Sequence, residues 1–217
     1  MEEFIDMDTW NRRNIFDSFL DTVTCYTALL DCTQVFRYAR SRRLPFLATL
    51  MHALLDAVNA VPEFRLRIID GDTVVSYSAV NLVTTELSDD GMLYPMFTGY
   101  TPRAADFVRA YRQRQAETRP PREKGDPRTA HINTLRVCVL PGLRFTSVPC
   151  HDDQAARRGS MFLNIGARDT DSRGRVTVPV GVTFAHSLLM GADFSKLTRY
   201  ISHEYVRKQQ GEDCLSH

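Results

Sequence analysis

The sequence predicts an α+β sandwich on three observations. Helical stripes crowd the early part of the chain, strand patterns run through the rest, and one more helical stripe closes it. The first helix is read from Asp8, a candidate cap, through Trp10, Phe16, Phe19, Leu20 and Val23, which recur at steps of three and four. Thr33 is placed to cap a second helix with Val35, Phe36 and Ala39 inward. Phe46, Leu47, Leu50, Met51, Leu54, Leu55 and Val58 make the strongest stripe, ending near Pro62. Phe64 to Ile68 alternates apolar and polar as a half-buried strand does. Asp70-Gly71 signals a tight turn, and Thr73 to Val83 is a β-branched return strand. Ser88 to Thr101 reads as loop or irregular edge, and Ala104 to Thr118 as a helix with Phe107, Val108 and Tyr111 inward. Three prolines and a glycine break regular structure between Arg119 and Arg128. Further strands are read at Ile132 to Leu140, Arg144 to Val148, Met161 to Ala167 and Val176 to Phe184. The closing helix, Phe194 to Arg207, places Leu197, Tyr200, Ile201 and Tyr205 on one face. The part after Arg128 is too strand-rich and helix-poor to stand alone, so residues 1–217 read as one domain.

Composition narrows the function. Lys plus Arg is 27 and Asp plus Glu is 26, a formal net charge of +1, which argues against a nucleic-acid-binding protein. No apolar run approaches the ~20 residues of a membrane helix, and the start, Met1-Glu2-Glu3, is acidic where a secretory signal is basic. The expectation is a soluble cytoplasmic protein. Its five cysteines (Cys25, Cys32, Cys138, Cys150, Cys214) are odd in number and scattered, which reads as reduced thiols. Neither a P-loop nor a G-x-G-x-x-G turn is present.

Several clusters invite chemistry. Eight basic residues against four acidic ones lie between Arg103 and Arg128; they read as a solvated helix face, or as a contact for cofactor phosphates such as those of coenzyme A. Cys150-His151-Asp152-Asp153 resembles a metal-ligand set, but adjacent side chains diverge and no second cluster exists, so no metal is expected. His203 and His217 read as surface residues and His52 as a satisfied buried imidazole. His186 follows a strand by one residue and precedes a glycine-containing loop and the last helix. That is where a scaffold presents a base to a cleft, or where a structural histidine sits.

Ile5-Asp6-Met7-Asp8-Thr9-Trp10-Asn11-Arg12-Arg13, then Asn59-Ala60-Val61-Pro62-Glu63-Phe64-Arg65 with Asp70-Gly71, resemble segments of the chloramphenicol acetyltransferase family. Arg144-Phe145-Thr146-Ser147 resembles the family segment that carries a functional serine. Val178-Pro179-Val180 through Ala185-His186-Ser187-Leu188-Leu189-Met190-Gly191 resembles the family's strand and H-H-x-x-x-D-G loop. The resemblance runs in order over nearly the whole chain.

It implies a two-layer α/β sandwich of the CoA-dependent acyltransferase type, assembled as a homotrimer with active sites at subunit interfaces. The implied activity is transfer of an acetyl group from acetyl-CoA to a small-molecule alcohol, chloramphenicol or a related acceptor, and with it antibiotic resistance. His186 would be the general base and Ser147 the oxyanion donor. Asn164 stands where the family has a threonine that holds water near the same oxyanion, and Cys25 and Tyr26 would help to line the acceptor pocket. The motif aspartate is Met190 here, beside Gly191, so Arg12, its partner in the family, needs another carboxylate: Asp193, Asp6 or Asp8. Ala185 replaces the first histidine of the motif. A rival reading follows from Met190: a catalytically impaired trimer that binds a small ligand or serves as scaffold.

Overall fold

A computed structural model describes residues 2–87, 89–118, 126–150 and 152–214. Strand β1 (Glu2–Phe4) opens the chain, and helix α1 (Arg13–Phe19) starts later than the Asp8 cap predicts. The reason is local: the Asp6 carboxylate accepts bonds from the Asp8 amide (3.1 Å) and the Thr9 hydroxyl (2.9 Å), which closes a turn instead. Val23 is not the tail of that helix but the head of a nine-residue strand, β2 (Val23–Asp31). Helix α2 (Thr33–Ser41) follows, with Asp31 acting where Thr33 was expected to. Asp31 Oδ1 accepts from the Thr33 amide (3.0 Å) and hydroxyl (2.7 Å). The strong apolar stripe is α3 (Phe46–Ala60), buried on every side from Ala48 to Val58.

A 3₁₀ turn at Pro62–Arg65 delays the next strand, β3 (Leu66–Asp70), and Gly71, at φ 48°, makes the turn into β4 (Thr73–Tyr77). The single return strand read from Thr73 to Val83 is two. The chain leaves β4, passes Ser78–Val80 and enters β5 (Asn81–Leu87) in a different sheet. Asn59 pins that switch, donating to the Leu55 and Val80 carbonyls and accepting from the Val80 amide (2.8 Å). Part of the stretch expected to be irregular is β6 (Leu93–Thr98), an edge strand, where Pro95 leaves no ladder bond missing on the open side.

Helix α4 (Ala104–Thr118) and strand β7 (Thr134–Val139) fall where expected. Arg144–Val148 is extended chain with no ladder rather than a strand. Then come the single turn α5 (Gln154–Arg157), β8 (Met161–Ile165), the two-residue β9 (Asp169–Thr170) and β10 (Val176–Ala185). The closing helix is two, α6 (Gly191–Arg199) and α7 (Tyr205–Cys214), joined by a π-helical turn at Tyr200–Glu204.

The larger sheet runs β2-β10-β8-β7-β5-β6, with β9 also on β10; β7 is parallel to both neighbours and the other pairs are antiparallel. A smaller sheet runs β1-β4-β3. Helices α2, α3, α4, α6 and α7 pack as one layer, and the sheet's inward side chains (Leu82, Leu135, Val137, Leu163, Val178, Val180, Val182, Phe184) share a single core with them. This is the two-layer α+β sandwich. Buried Asp56 ties the helices together, accepting from the Tyr100 (2.5 Å) and Tyr200 (2.8 Å) hydroxyls and from Lys208 (2.6 Å).

On the opposite face the chain after β7 lies directly on β10. A Cβ built on Gly181 would stand 2.1 Å from a methyl of Val148, so only bare backbone admits this contact. Gly181→Ala should destabilise the protein by about 1–3 kcal/mol through overpacking, and Val148→Ala in the same chain should recover most of that loss in urea unfolding.

Candidate active site

His186 leaves the end of β10 with its amide bonded to the Thr22 carbonyl (2.8 Å), so the loop starts pinned beside β2. Its Nδ1 lies 3.2 Å from the Leu189 carbonyl oxygen. A carbonyl only accepts, so Nδ1 carries the proton and the neutral ring keeps its lone pair on Nε2. The Leu188 and Leu189 amides both turn back onto the Ala185 carbonyl (3.2 Å), which fixes the accepting group. The ring rests on Phe19, centroids 4.2 Å apart, and is half-buried. Among the described residues Nε2 has no partner. The arrangement is that of a base: one nitrogen committed, the other free.

The loop is held from below by charge. Arg12 forks onto Asp193 through both terminal nitrogens (2.7 and 2.9 Å), reaches Glu63 (2.9 Å) and donates to the Leu188 carbonyl (3.3 Å). Of the three carboxylates open to Arg12, Asp193 is the partner, while Asp6 caps its own turn. Asp193 also accepts from the Met190 amide (3.0 Å), and Lys196 bridges Asp193 (3.2 Å) and Glu63 (2.7 Å). Met190 therefore contributes backbone where the motif has a carboxylate, and at Gly191, which opens α6, a Cβ would stand 3.7 Å from the Tyr26 hydroxyl. Burial alone would raise the Asp193 pKa, but the bonds from Arg12, the Met190 amide and Lys196 outweigh it and hold the carboxyl below its ordinary value. The same bond to Asp193 raises Arg12 against the opposing cost of its own burial.

Ser147 does not meet His186 within one chain. It sits exposed beside Val148, which covers Gly181, five residues back along β10 and on the opposite face from Phe184 and His186. Five strand residues span about 16 Å. Asn164 pairs with Gly181 across β8–β10 and with Cys138 across β7–β8, so it shares a cross-strand row with the Ser147 segment. It is buried, and its amide lines a cavity of about 220 Å³ on this open face. Cys25 and Tyr26 part company. Cys25 faces the open side, its thiol 3.9 Å from the Val148 carbonyl, whereas Tyr26 packs on Phe184 and Phe194 beside the His186 loop. Burial, then the neighbouring Cys25 thiol, pushes Cys150 up to about 11.

The remaining candidates have structural work. His52 is buried, with Nε2–H donating to the Thr101 carbonyl (2.9 Å) and Nδ1 accepting from Tyr205 (2.8 Å); burial lowers its pKa. His203 is exposed, and His217 lies outside the described residues. In the Cys150–Asp153 set, Asp152 pairs with Arg157 (2.9 Å) and Asp153 caps α5 through the Ala156 amide (2.7 Å); His151 lies outside the described residues. Among the described residues no group of three or more His, Cys, Asp or Glu side chains is placed to hold a metal. In the basic stretch Arg103 and Arg109 meet Asp106, Arg114 meets Glu117, and Arg128 meets Asp126 (2.5 Å); residues 119–125 lie outside the described set. Among the described residues no helix is long and apolar enough to cross a membrane.

Sequence reasoning missed Phe19 as the ring under His186, because its place in an apolar helical stripe carries no sign of stacking. It also missed Arg136, although an arginine between Leu135 and Val137 in an apolar strand is a signal.

The family model for chloramphenicol acetyltransferase matches residues 2–202. The chain belongs to the chloramphenicol acetyltransferase family. It is 24% identical over 194 residues to chloramphenicol acetyltransferase 2 of Escherichia coli (86% of this chain, 89% of that protein). It is 25% identical over 195 residues to the Haemophilus influenzae protein of the same name, with the same coverage. A solved chloramphenicol acetyltransferase superposes with a TM-score of 0.80 at 22% identity, covering 93% of this chain and 98% of that one. The dihydrolipoamide acetyltransferase of Azotobacter vinelandii shares the fold at a TM-score of 0.66 and 13% identity, over 94% and 88% of the two chains. The chain is thus an acyltransferase of this family, built on the fold that family shares with dihydrolipoamide acetyltransferases.

Asp193→Asn should cost about 3 kcal/mol, since it removes a buried carboxylate that is the main counter-charge of half-buried Arg12. Because Asp193 titrates below the ~3.9 of a free aspartate, its contribution is complete above about pH 5 and is lost as pH falls through the folded-state value. Wild type and variant should therefore converge in stability toward pH 2, as chemical unfolding across pH would report.

Proposed function

We propose that the chain is an acetyl-CoA-dependent O-acetyltransferase, cytoplasmic and acting as one domain per protomer, in which His186 is the general base. The observation that carries this reading is the tautomer: the Leu189 carbonyl holds Nδ1–H, leaving Nε2 unprotonated and without a partner among the described residues. Nε2 takes the proton from the acceptor hydroxyl as that oxygen attacks the thioester carbonyl. The Ser147 hydroxyl donates to the oxyanion so formed, with Asn164 as a second polar contact. As the C–S bond breaks, the imidazolium returns the proton to the thiolate, giving the acetyl ester and free CoA thiol. No acyl-enzyme is required, because orientation in one site supplies much of the acceleration.

Ser147 and His186 stand on opposite faces of β10, so the reading needs a second copy of the chain: His186 from one protomer meets Ser147 and Asn164 of its neighbour in a homotrimer. The edge of β2 supports such an assembly. It is nine residues long and unpaired on one side, and Leu29 on it is 66% exposed. The rival reading of a retired site rested on Met190. Asp193 supplies the missing carboxylate one helical turn later, which removes that ground.

His186→Ala should abolish thiol release from acetyl-CoA with chloramphenicol or a related alcohol while the oligomer persists; unchanged turnover would refute the assignment. Ser147→Ala should lower kcat about 10²–10³-fold with little change in KM. Trimers reassembled from equal amounts of the two variants should recover about one quarter of wild-type activity, the share of interfaces that join an intact His186 to an intact Ser147. No recovery would overturn a site shared between neighbouring protomers.

A further inference from the structure

The cavity of about 220 Å³ on the open face of the sheet is walled by Val83 and Thr85 of β5, Arg136 and Cys138 of β7, and Phe162 and Asn164 of β8. Asn164 and Cys138 stand in the same cross-strand row as Gly181, on which the Ser147 segment rests. The cavity therefore begins one strand spacing, about 4.8 Å, from the groups assigned to the oxyanion.

Arg136 is the charged member of that wall. Its Nε is buried without an acceptor, and its one hydrogen bond is a long one, from Nη2 to the Thr129 carbonyl at 3.4 Å. The guanidinium carbon lies 5.5 Å from the centre of the Phe162 ring, so an aromatic face rather than a carboxylate backs it. Among the described residues no Asp or Glu forms an ion pair with it, and none is among the residues lining the cavity. Among the described residues Arg65 also buries an Nε without an acceptor, but its Nη1 donates to two carbonyls, of Tyr77 (3.3 Å) and Ser78 (3.5 Å), and it is not part of this wall; Arg12, Arg128 and Arg157 each hold a carboxylate at 2.9 Å or less. A guanidinium with a desolvated, unused donor is costly, and a planar carboxylate is the group its fork fits best.

We propose that Arg136 makes this cavity the seat of an anionic acceptor, so that the alcohol acetylated here is a small hydroxy acid rather than a neutral alcohol. The inference rests on the acetyltransfer reading above. The carboxylate pairs with Arg136, the apolar part of the acceptor lies on Val83 and Phe162, and its hydroxyl points along the row toward Asn164 and the Ser147 segment. The volume agrees: roughly 300–1,000 Å³ is usual for drug-sized ligands, and this cavity is smaller.

The test pairs phenyllactate with its uncharged counterpart, phenyllactamide. Each is assayed for His186-dependent thiol release from acetyl-CoA and titrated calorimetrically into the wild-type oligomer and the Arg136→Gln and Arg136→Lys variants. Wild type should favour the acid over the amide by about 10- to 100-fold in kcat/KM and in affinity, the range of a hydrogen bond to a charged group. Arg136→Gln should collapse that ratio toward one, and Arg136→Lys should restore part of it. Equal handling of acid and amide by wild type, or an Arg136→Gln effect confined to KM for acetyl-CoA, would overturn the proposal while leaving acetyl transfer intact. Absence of thiol release from both probes would count against acetyl transfer alone, because the calorimetric ratio still decides Arg136: an acid preference lost in Arg136→Gln supports it, and no preference overturns it.

Discussion

Alternation along β10 is the constraint on which the rest of the molecule depends. Val178, Val180, Val182 and Phe184 point into the helices and complete the core, so Pro179, Gly181 and Thr183 must point the other way. A one-residue slip would exchange the two sets and empty the core, which fixes the register against both β2 and β8. Function inherits this division. His186 continues the inward phase past the end of the strand and comes to rest on Phe19, while Gly181 in the outward phase receives Val148 and with it the Ser147 segment. One strand thus presents the His186 imidazole at its end and seats the Ser147 hydroxyl on its other face, about 16 Å apart. A second copy of the chain is the economical way to bring such groups together.

The loop that carries His186 owes its shape to the ion pair between Arg12 and Asp193. A carboxylate at position 190 would begin α6; Asp193 lies one turn inside it. Residues three apart on a helix share a face, so Asp193 still reaches back to the Met190 amide and still meets Arg12 in a fork. Arg12 in turn touches the Leu188 carbonyl, next to the Leu189 carbonyl that sets the His186 tautomer. The charge network and the tautomer of His186 are therefore linked through adjacent peptide groups. Glu63 and Lys196 complete the network from the 3₁₀ turn and α6, so the substitution at 190 is absorbed without an orphaned charge.

What the sequence made legible follows burial. Helices α3 and α4 and strand β10 each bury a regular set of side chains, and their patterns were plain. Beyond Val23, taken as the end of a helix, β2 went unread because neither of its faces is deeply covered, so its side chains show no clean alternation. The Thr73–Val83 stretch read as one strand because β-branched residues report extended chain and not which sheet it joins; the change of sheet depends on Asn59, distant in sequence. Pro95 hid β6, and Phe145 with Thr146 suggested a strand where only a docked extended segment exists. In the site, His186 was legible from a strand followed by a glycine-bearing loop, and Asp193 from the need of Arg12 for a partner. The opposite directions of Cys25 and Tyr26 were not, because no strand was read there to supply the period of two.

Three arginines withdrawn from solvent show how differently one side chain can be accommodated. Arg12 is neutralised by carboxylates, so its charge is stabilised and its pKa raised. Arg67 is fully buried with no carboxylate at all; it spends its donors on the Ile132, Phe64 and Leu66 carbonyls at 2.7–2.9 Å, and burial pushes it down to about 10. That solution satisfies hydrogen bonding and leaves the charge to be tolerated, which suits a residue whose task is to bind β3 to the chain before β7. Arg136 has neither remedy. Its single carbonyl contact is long, its Nε is unused, and its surroundings are an aromatic ring and a cavity. Of these three, Arg136 is the one whose unmet donor stands beside a cavity wide enough to admit a planar anion, which is why the acceptor proposal rests on it.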